Sequence, residues 1–289
     1  MKIAHLILAH NNPRQLEKLV RRLIYADDAV YIHLDKKAPI DQYTYLKSIG
    51  NVYFVTNRVK VTWGANSIVG ATINGFQQII NTGIAYDYVN LLSGSDYPLQ
   101  KPDQVHAFFS QNMGKVFMSY MPILDEWQEA IARITCYHFT DFSFTGRFIL
   151  QRLVNKILPK RTMPNNLIPV GHSQWFTVPT PCIQYILDYW KQNANFRRFI
   201  KLTWGPDEFV FQTILYNSPY QDQMVNDNLR LIDWSAGGAS PKTFTMADKE
   251  ALLQSDKLFA RKFDLDQHAD IMMLIDQGKL DNQNELVSA

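Results

Sequence analysis

Short apolar runs alternate with helical patterns through the first half of the chain, and that alternation leaves few architectures open. Ile3 to Ala9 is an unbroken apolar run save for His5, the length of a strand buried on both faces. Asn12 then Pro13 reads as an N-cap followed by an N1 proline, and Leu16, Leu19, Val20 and Leu23 form the stripe of a helix. The pattern predicts a strand over Ala29–Leu34, a helix around Ile40–Leu46, a strand at Val52–Val55 and a helix over Asn66–Asn81 stopped by Gly83. Further strands are expected at Tyr88–Leu92 and Lys115–Met118. Strands that alternate with helices imply a mostly parallel sheet covered on both faces, an α/β fold. Ligands of such sheets bind beyond the C-terminal ends of the strands. The loops that begin at His10, Asp35 and Ser93 all leave such ends.

The stretch from Pro122 to Pro169 is less regular. Beyond it, a helix over Pro181–Asn193 capped by Thr180, a helix over Asp207–Asn217 and a strand-like Leu229–Ile232 are expected. No linker interrupts the chain, so 1–289 reads as one domain. A net charge of +2 gives no footprint for a nucleic-acid partner. Two cysteines, Cys136 and Cys182, make no disulfide framework and sit in no metal-ligand spacing. The first apolar run is too short for a signal peptide and no window reaches a membrane span, so a cytoplasmic chain is expected, or one peripheral on the inner membrane face.

The chemistry concentrates in a few places. Arg261 and Lys262 lie between Phe259 and Phe263, and cations set in apolar sequence need an anion, since an unpaired buried charge is costly. Asp264 and Asp266 could be that anion, as could a ligand phosphate. Lys242 is a possible third cation. Pro206-Asp207-Glu208 opens the expected helix, where acidic residues suit the dipole with no function at all. The same dipole would keep Glu208 ionised, as a general base requires.

Other residues read two ways. Asp35 ends the second strand, and either caps a turn or accepts from a base or ribose. His33 reads as a satisfied strand histidine. Asp96, in Ser93-Gly94-Ser95-Asp96, either bonds local N–H groups or holds acceptor hydroxyls. Trp175 and Trp234 suit a sugar face and suit a core equally. Residues 147–161 set Arg152, Lys156 and Lys160 against Leu150, Leu153, Val154 and Ile157. That is a basic amphipathic helix, either a solvated surface element or one that contacts a membrane.

In order, Ala4–Pro13, Tyr31–Lys37, Leu91–Leu99, Gly171–Phe176, Pro206–Thr213, Leu229–Trp234 and Phe259–Phe263 resemble the core-2/I-branching N-acetylglucosaminyltransferase and peptide O-xylosyltransferase family, glycosyltransferase family 14. The resemblance runs from Ile3 to about Asp264. It implies a GT-A-like fold, a UDP-sugar donor carrying N-acetylglucosamine or xylose, inversion at the anomeric carbon, and no divalent metal cofactor. It implies that Glu208 is the catalytic base, that Asp35, Trp63, Lys242 and Lys262 bind the donor, and that Trp234 stacks on the acceptor, with 1–120 as the nucleotide-binding half and 121–289 as the acceptor and catalytic half. Read from their own surroundings, Arg261 joins Lys262 at the donor, and Trp175 and Asp96 join Trp234 at the acceptor, a glycan or lipid-linked sugar. The chain departs from the animal members in lacking their anchor, stem and many cysteines, which is expected of a bacterial-type member. A non-catalytic glycan- or nucleotide-binding protein on the same scaffold is the alternative. A nicotinamide-dependent enzyme is disfavoured, because Ala9-His10-Asn11-Asn12-Pro13 carries no glycine fingerprint.

Overall fold

A computed structural model describes residues 1–278; the domain expected over 1–289 extends past these, and 279–289 lie outside the described residues. The chain opens with β1 (Ile3–Ala9), α1 (Pro13–Leu23), β2 (Ala29–Leu34), β3 (Val52–Phe54), α2 (Asn66–Asn81) and β4 (Tyr88–Ser93). It continues with β5 (Asp96–Pro98), α3 (Pro102–Gln111), β6 (Val116–Pro122), α4 (Ile131–Thr135), α5 (Arg147–Ile157) and β7 (Val170–Pro179). Then come α6 (Thr180–Gln192), α7 (Ala194–Lys201), α8 (Val210–Tyr216), β8 (Met224–Asn226) and β9 (Arg230–Ile232). The last described elements are α9 (Lys249–Gln254), β10 (Phe259–Arg261) and α10 (Ala269–Gly278).

Among the described residues, seven strands form one sheet in the order β3-β2-β1-β4-β7-β6-β8. β7 runs antiparallel to both neighbours and the other pairings are parallel. A small sheet, β5-β10-β9, lies apart from it. The large sheet is buried on both faces, which follows from the strand period of two. Ile3 and Ile7 of β1 join the core that contains α1, whereas Ala4 and Leu6 join the core that contains α2 and α6. This is the mostly parallel, helix-flanked α/β architecture that the alternation predicts.

Three local readings need correction. The residues around Ile40–Leu46 form two short 3-10 turns instead of one helix. Thr180 lies inside α6 and makes no capping bond; its buried Oγ1 has no hydrogen-bond partner among the described residues. The helix expected over Asp207–Asn217 is broken: Pro206–Glu208 is a single 3-10 turn, and α8 begins only at Val210. The dipole argument for Glu208 therefore fails, since one turn sums too few peptide dipoles.

Candidate functional site

The strand ends gather charge around His10, the residue that follows β1. Although exposed, its imidazole is lowered in pKa by surrounding protein; Asp35 pushes it back up, and Lys262, Lys37 and Arg261 push it down again. His10 directly follows β1, Asp35 follows β2 and Lys262 follows β10, so charges from three chain segments act on this imidazole. Asp35 is buried, accepts from the Lys37 N–H at 2.8 Å and has the Lys37 ammonium 3.4 Å away. Its loop is braced by Arg58, which donates to the carbonyls of Leu34 (2.9 Å), Asp35 (2.7 Å) and Ala38 (2.6 Å). His33 accepts from Val59 N–H at 3.0 Å, and burial pushes its pKa down to about 4, as befits a neutral strand histidine.

Arg261 does not pair with Asp264 or Asp266. Its guanidinium donates to Asp96 at 2.7 Å and lies over the Trp175 ring, 4.6 Å from the centroid. Asp96 is fully buried, so it faces no acceptor; its other oxygen accepts from Ser93 N–H at 2.9 Å. Burial pushes its carboxyl up in pKa, and Arg261 opposes that. Trp175 is likewise buried beneath the guanidinium. The fold thus supplies an anion for the first cation, Asp96 from a distant segment, and none for the second. Among the described residues, Lys262 has no carboxylate within ion-pair distance.

The backbone around Lys262 is fixed from several sides. Phe263 N–H donates to Ser95 carbonyl, and Phe244 N–H donates to the Lys262 carbonyl, both at 2.9 Å. The Gln15 amide, buried at the start of α1, donates to the carbonyls of Phe263 (3.0 Å) and Gly94 (3.1 Å) and accepts from Leu265 N–H (2.8 Å). The loop from β9 to Phe244 carries Trp234, exposed, and Lys242. Lys242 pairs with Asp248 and lies 3.8 Å from Asp233, so its charge is already answered by two carboxylates.

Glu208 belongs to a second cluster. Its Oε2 accepts from Arg133, whose guanidinium lies 4.7 Å from the Trp127 ring and 4.5 Å from the Trp204 ring. Exposed Trp63 meets Trp204 edge to face at 5.7 Å, and Gly205 N–H donates to the Gly64 carbonyl at 2.8 Å. Two glycines allow this closeness. A Cβ on Gly171 of β7 would run into Phe209 and the Glu208 carbonyl, and a Cβ on Gly64 would come 2.8 Å from the Trp204 indole nitrogen. Asp207, next to Glu208, is buried, and its Oδ1 has no partner among the described residues. Burial, with the Glu208 charge adding, pushes its pKa up to about 7.

The charges of Asp35, Arg261 and Lys262 thus act together on His10, Trp234 and Lys242 share the loop bonded to Lys262, and Trp63 meets the Trp204 that packs on the partner of Glu208. His10, Arg133, Trp127 and Trp204 escaped the sequence reading. Only His10 carried a signal, its place directly after a buried strand. The indoles that sandwich Arg133 lie in distant segments, and no spacing announces them. Among the described residues, no group of three or more His, Cys, Asp or Glu is arranged to hold a metal ion. Asp264 accepts from the N–H groups of Asp266 and Gln267, and Asp266 accepts from the Asn12 amide.

Residues 3–255 match the profile described as Core-2/I-Branching enzyme. The chain belongs to that family. Among curated relatives, xylosyltransferase 2 of Rattus norvegicus is 26% identical over 309 residues, covering 96% of this chain and 33% of the relative. Xylosyltransferase 1 of Canis lupus familiaris is 24% identical over 308 residues, covering 96% and 30%. The chain therefore spans about a third of the length of these relatives. Mouse xyloside xylosyltransferase 1, in an apo crystal structure, superposes with a TM-score of 0.40 at 11% identity, over 90% of this chain and 97% of that one.

Proposed function

We propose that this Core-2/I-branching enzyme is an inverting glycosyltransferase that moves a sugar, xylose or N-acetylglucosamine, from a UDP-sugar to a hydroxyl of a glycan or lipid-linked acceptor. The observation that carries the reading is the placement of Asp35 directly after β2 and of Lys262 on a segment bonded to Ser95 just beyond β4, at the strand ends where α/β sheets bind ligands. Family membership and the xylosyltransferase names of its relatives support it.

In this reading the acceptor oxygen attacks the anomeric carbon as the bond from that carbon to the phosphate oxygen breaks. UDP leaves with the electron pair. The acceptor proton passes to Glu208, whose Oε2 is held by Arg133 while Oε1 is the oxygen that takes the proton. Lys262 answers the charge that grows on the diphosphate, a term typically worth about 3–4 kcal/mol. Arg261 contributes field from behind, and Lys242 only if it leaves Asp248. Asp35 faces the base, Trp63 flanks the nucleotide and Trp234 meets the acceptor. No divalent metal is required.

Glu208→Gln tests this. Transfer should fall about 10²- to 10⁴-fold while UDP still raises the melting temperature. EDTA should leave wild-type turnover intact. Unchanged turnover in the variant removes Glu208 from the role, and activity lost to EDTA and restored by Mn²⁺ removes the metal-free mechanism.

A further inference from the structure

The helix α5 is exposed on its apolar side. Ile149 is 74% exposed, Ile157 68%, Leu153 51% and Leu150 42%, and no residue of the helix is buried. At about 100° per residue, Leu150, Leu153, Ile157 and Ile149 fall in one arc, with Arg152 and Lys156 along its edge. Opposite lie Gln151 and Asn155, which fasten the helix to the protein. Phe139 N–H donates to Gln151 at 2.8 Å, and Tyr137 N–H donates to Asn155 at 2.7 Å. A monomer rarely leaves a contiguous apolar face of this kind in water.

Charge is segregated with it. From Phe142 to Leu187 the sequence holds no Asp or Glu. Arg152, Lys156 and Lys160 are exposed, and among the described residues none of them is in an ion pair. An apolar arc bordered by unanswered cations complements an anionic lipid surface, with acyl chains for the arc and headgroup phosphates for its edge. A second copy of this face fits worse, since two-fold pairing would set one row of cations near its twin.

The helix is also connected to the Glu208 cluster. The segment bonded to α5 ends in Asp141, which accepts from the N–H groups of Asn66 (3.1 Å) and Ser67 (3.2 Å) at the start of α2. Directly before α2 stand Trp63 and Gly64, against the turn that bears Glu208. We infer that α5 docks the protein on an anionic membrane surface, with the Glu208 cluster carried beside that surface. On the glycosyltransferase reading, on which this last step rests, the acceptor is then membrane-borne.

Co-sedimentation with vesicles tests the docking. The full chain should pellet with mixed phosphatidylglycerol and phosphatidylcholine vesicles and stay in solution with phosphatidylcholine alone. The double variant Ile149→Glu, Leu153→Glu should lose that binding with its melting temperature unchanged, because neither side chain packs against the core. Arg152→Ala with Lys156→Ala should weaken partitioning about 30-fold. The proposal is overturned if wild type ignores the anionic vesicles, if the variants bind as well as wild type, or if the apolar face instead drives a dimer that the double variant dissolves. UDP-induced thermal shift in the same preparations reads the donor site separately. Its absence beside intact vesicle binding would sink the glycosyltransferase reading and leave the docking standing.

Discussion

At the end of β10, Arg261 is locked to a carboxylate with no exposure at all, while at the turn before α8 the carboxylate of Glu208 stays partly open to solvent. The first charge is held by an ion pair inside the protein. The second is held by a guanidinium that two indole faces clamp in place. The pair removes buried Asp96 from ligand chemistry and answers the charge of part-buried Arg261, which makes the neighbouring Lys262 the cation left over. The aromatic clamp does the reverse. It orients Arg133 without using a second carboxylate, so Glu208 keeps one oxygen free.

Breaking the β10 side should have the larger effect on the fold. Asp96→Leu strands a guanidinium in an apolar surround and should destabilise by about 3–5 kcal/mol in urea unfolding. Asp96→Leu with Arg261→Met should recover much of that loss. If the single variant melts like wild type, the pair is not structural. Lys262→Met should spare stability and cut turnover about 10²- to 10³-fold in steady-state kinetics. Should Arg261→Lys cost more activity than Lys262→Met at equal fold integrity, the division of labour drawn between the two cations is wrong.

The Glu208 side offers a pH handle. The Asp207 pKa rises from 3.8 to about 7 on folding, chiefly by burial. The folded state therefore favours the protonated acid. Its contribution is fully present below about pH 4 and is lost as pH climbs through about 7. Asp207→Asn should leave stability near pH 4 unchanged and raise it by about 1–4 kcal/mol at pH 8, flattening the profile between. A profile as steep as wild type would assign that slope to another group. The smallest change is expected for Arg133→Met. It keeps contact with Trp127 and Trp204 but frees Glu208, and should lower kcat by about tenfold with KM nearly constant. A rise in KM alone would make Arg133 a binding group rather than a positioning one.

The strands and long helices were legible because each depends on its own neighbourhood. β1, α1, β2, α2 and β4 follow from periodicity, from Asn12 and Pro13, and from Gly83. The broken helix at Pro206–Glu208 was not, because Gly205 in a left-handed conformation and the wedge of Phe209 against Gly171 belong to tertiary packing. Site residues divide the same way. Lys262 stands out as a cation among aromatics, and Asp35 as a strand end. Arg133 gives no hint, since Trp127 and Trp204 give it meaning only after folding. Asp96 misled because a small, polar loop sequence looks solvent-facing, while its partner lies 165 residues away.

The bonds from Gln15 to Phe263 and Leu265 join residues about 250 positions apart. A chain made from its N-terminus onward therefore holds α1, β1 and β2 long before the segment that Gln15 grips exists. Until residue 262 has been made the rim around His10 lacks Lys262, and nascent protein can assemble much of the sheet but not a competent charge cluster. Contacts of such separation form once the intervening elements are in place, so the cluster assembles after the sheet that carries it.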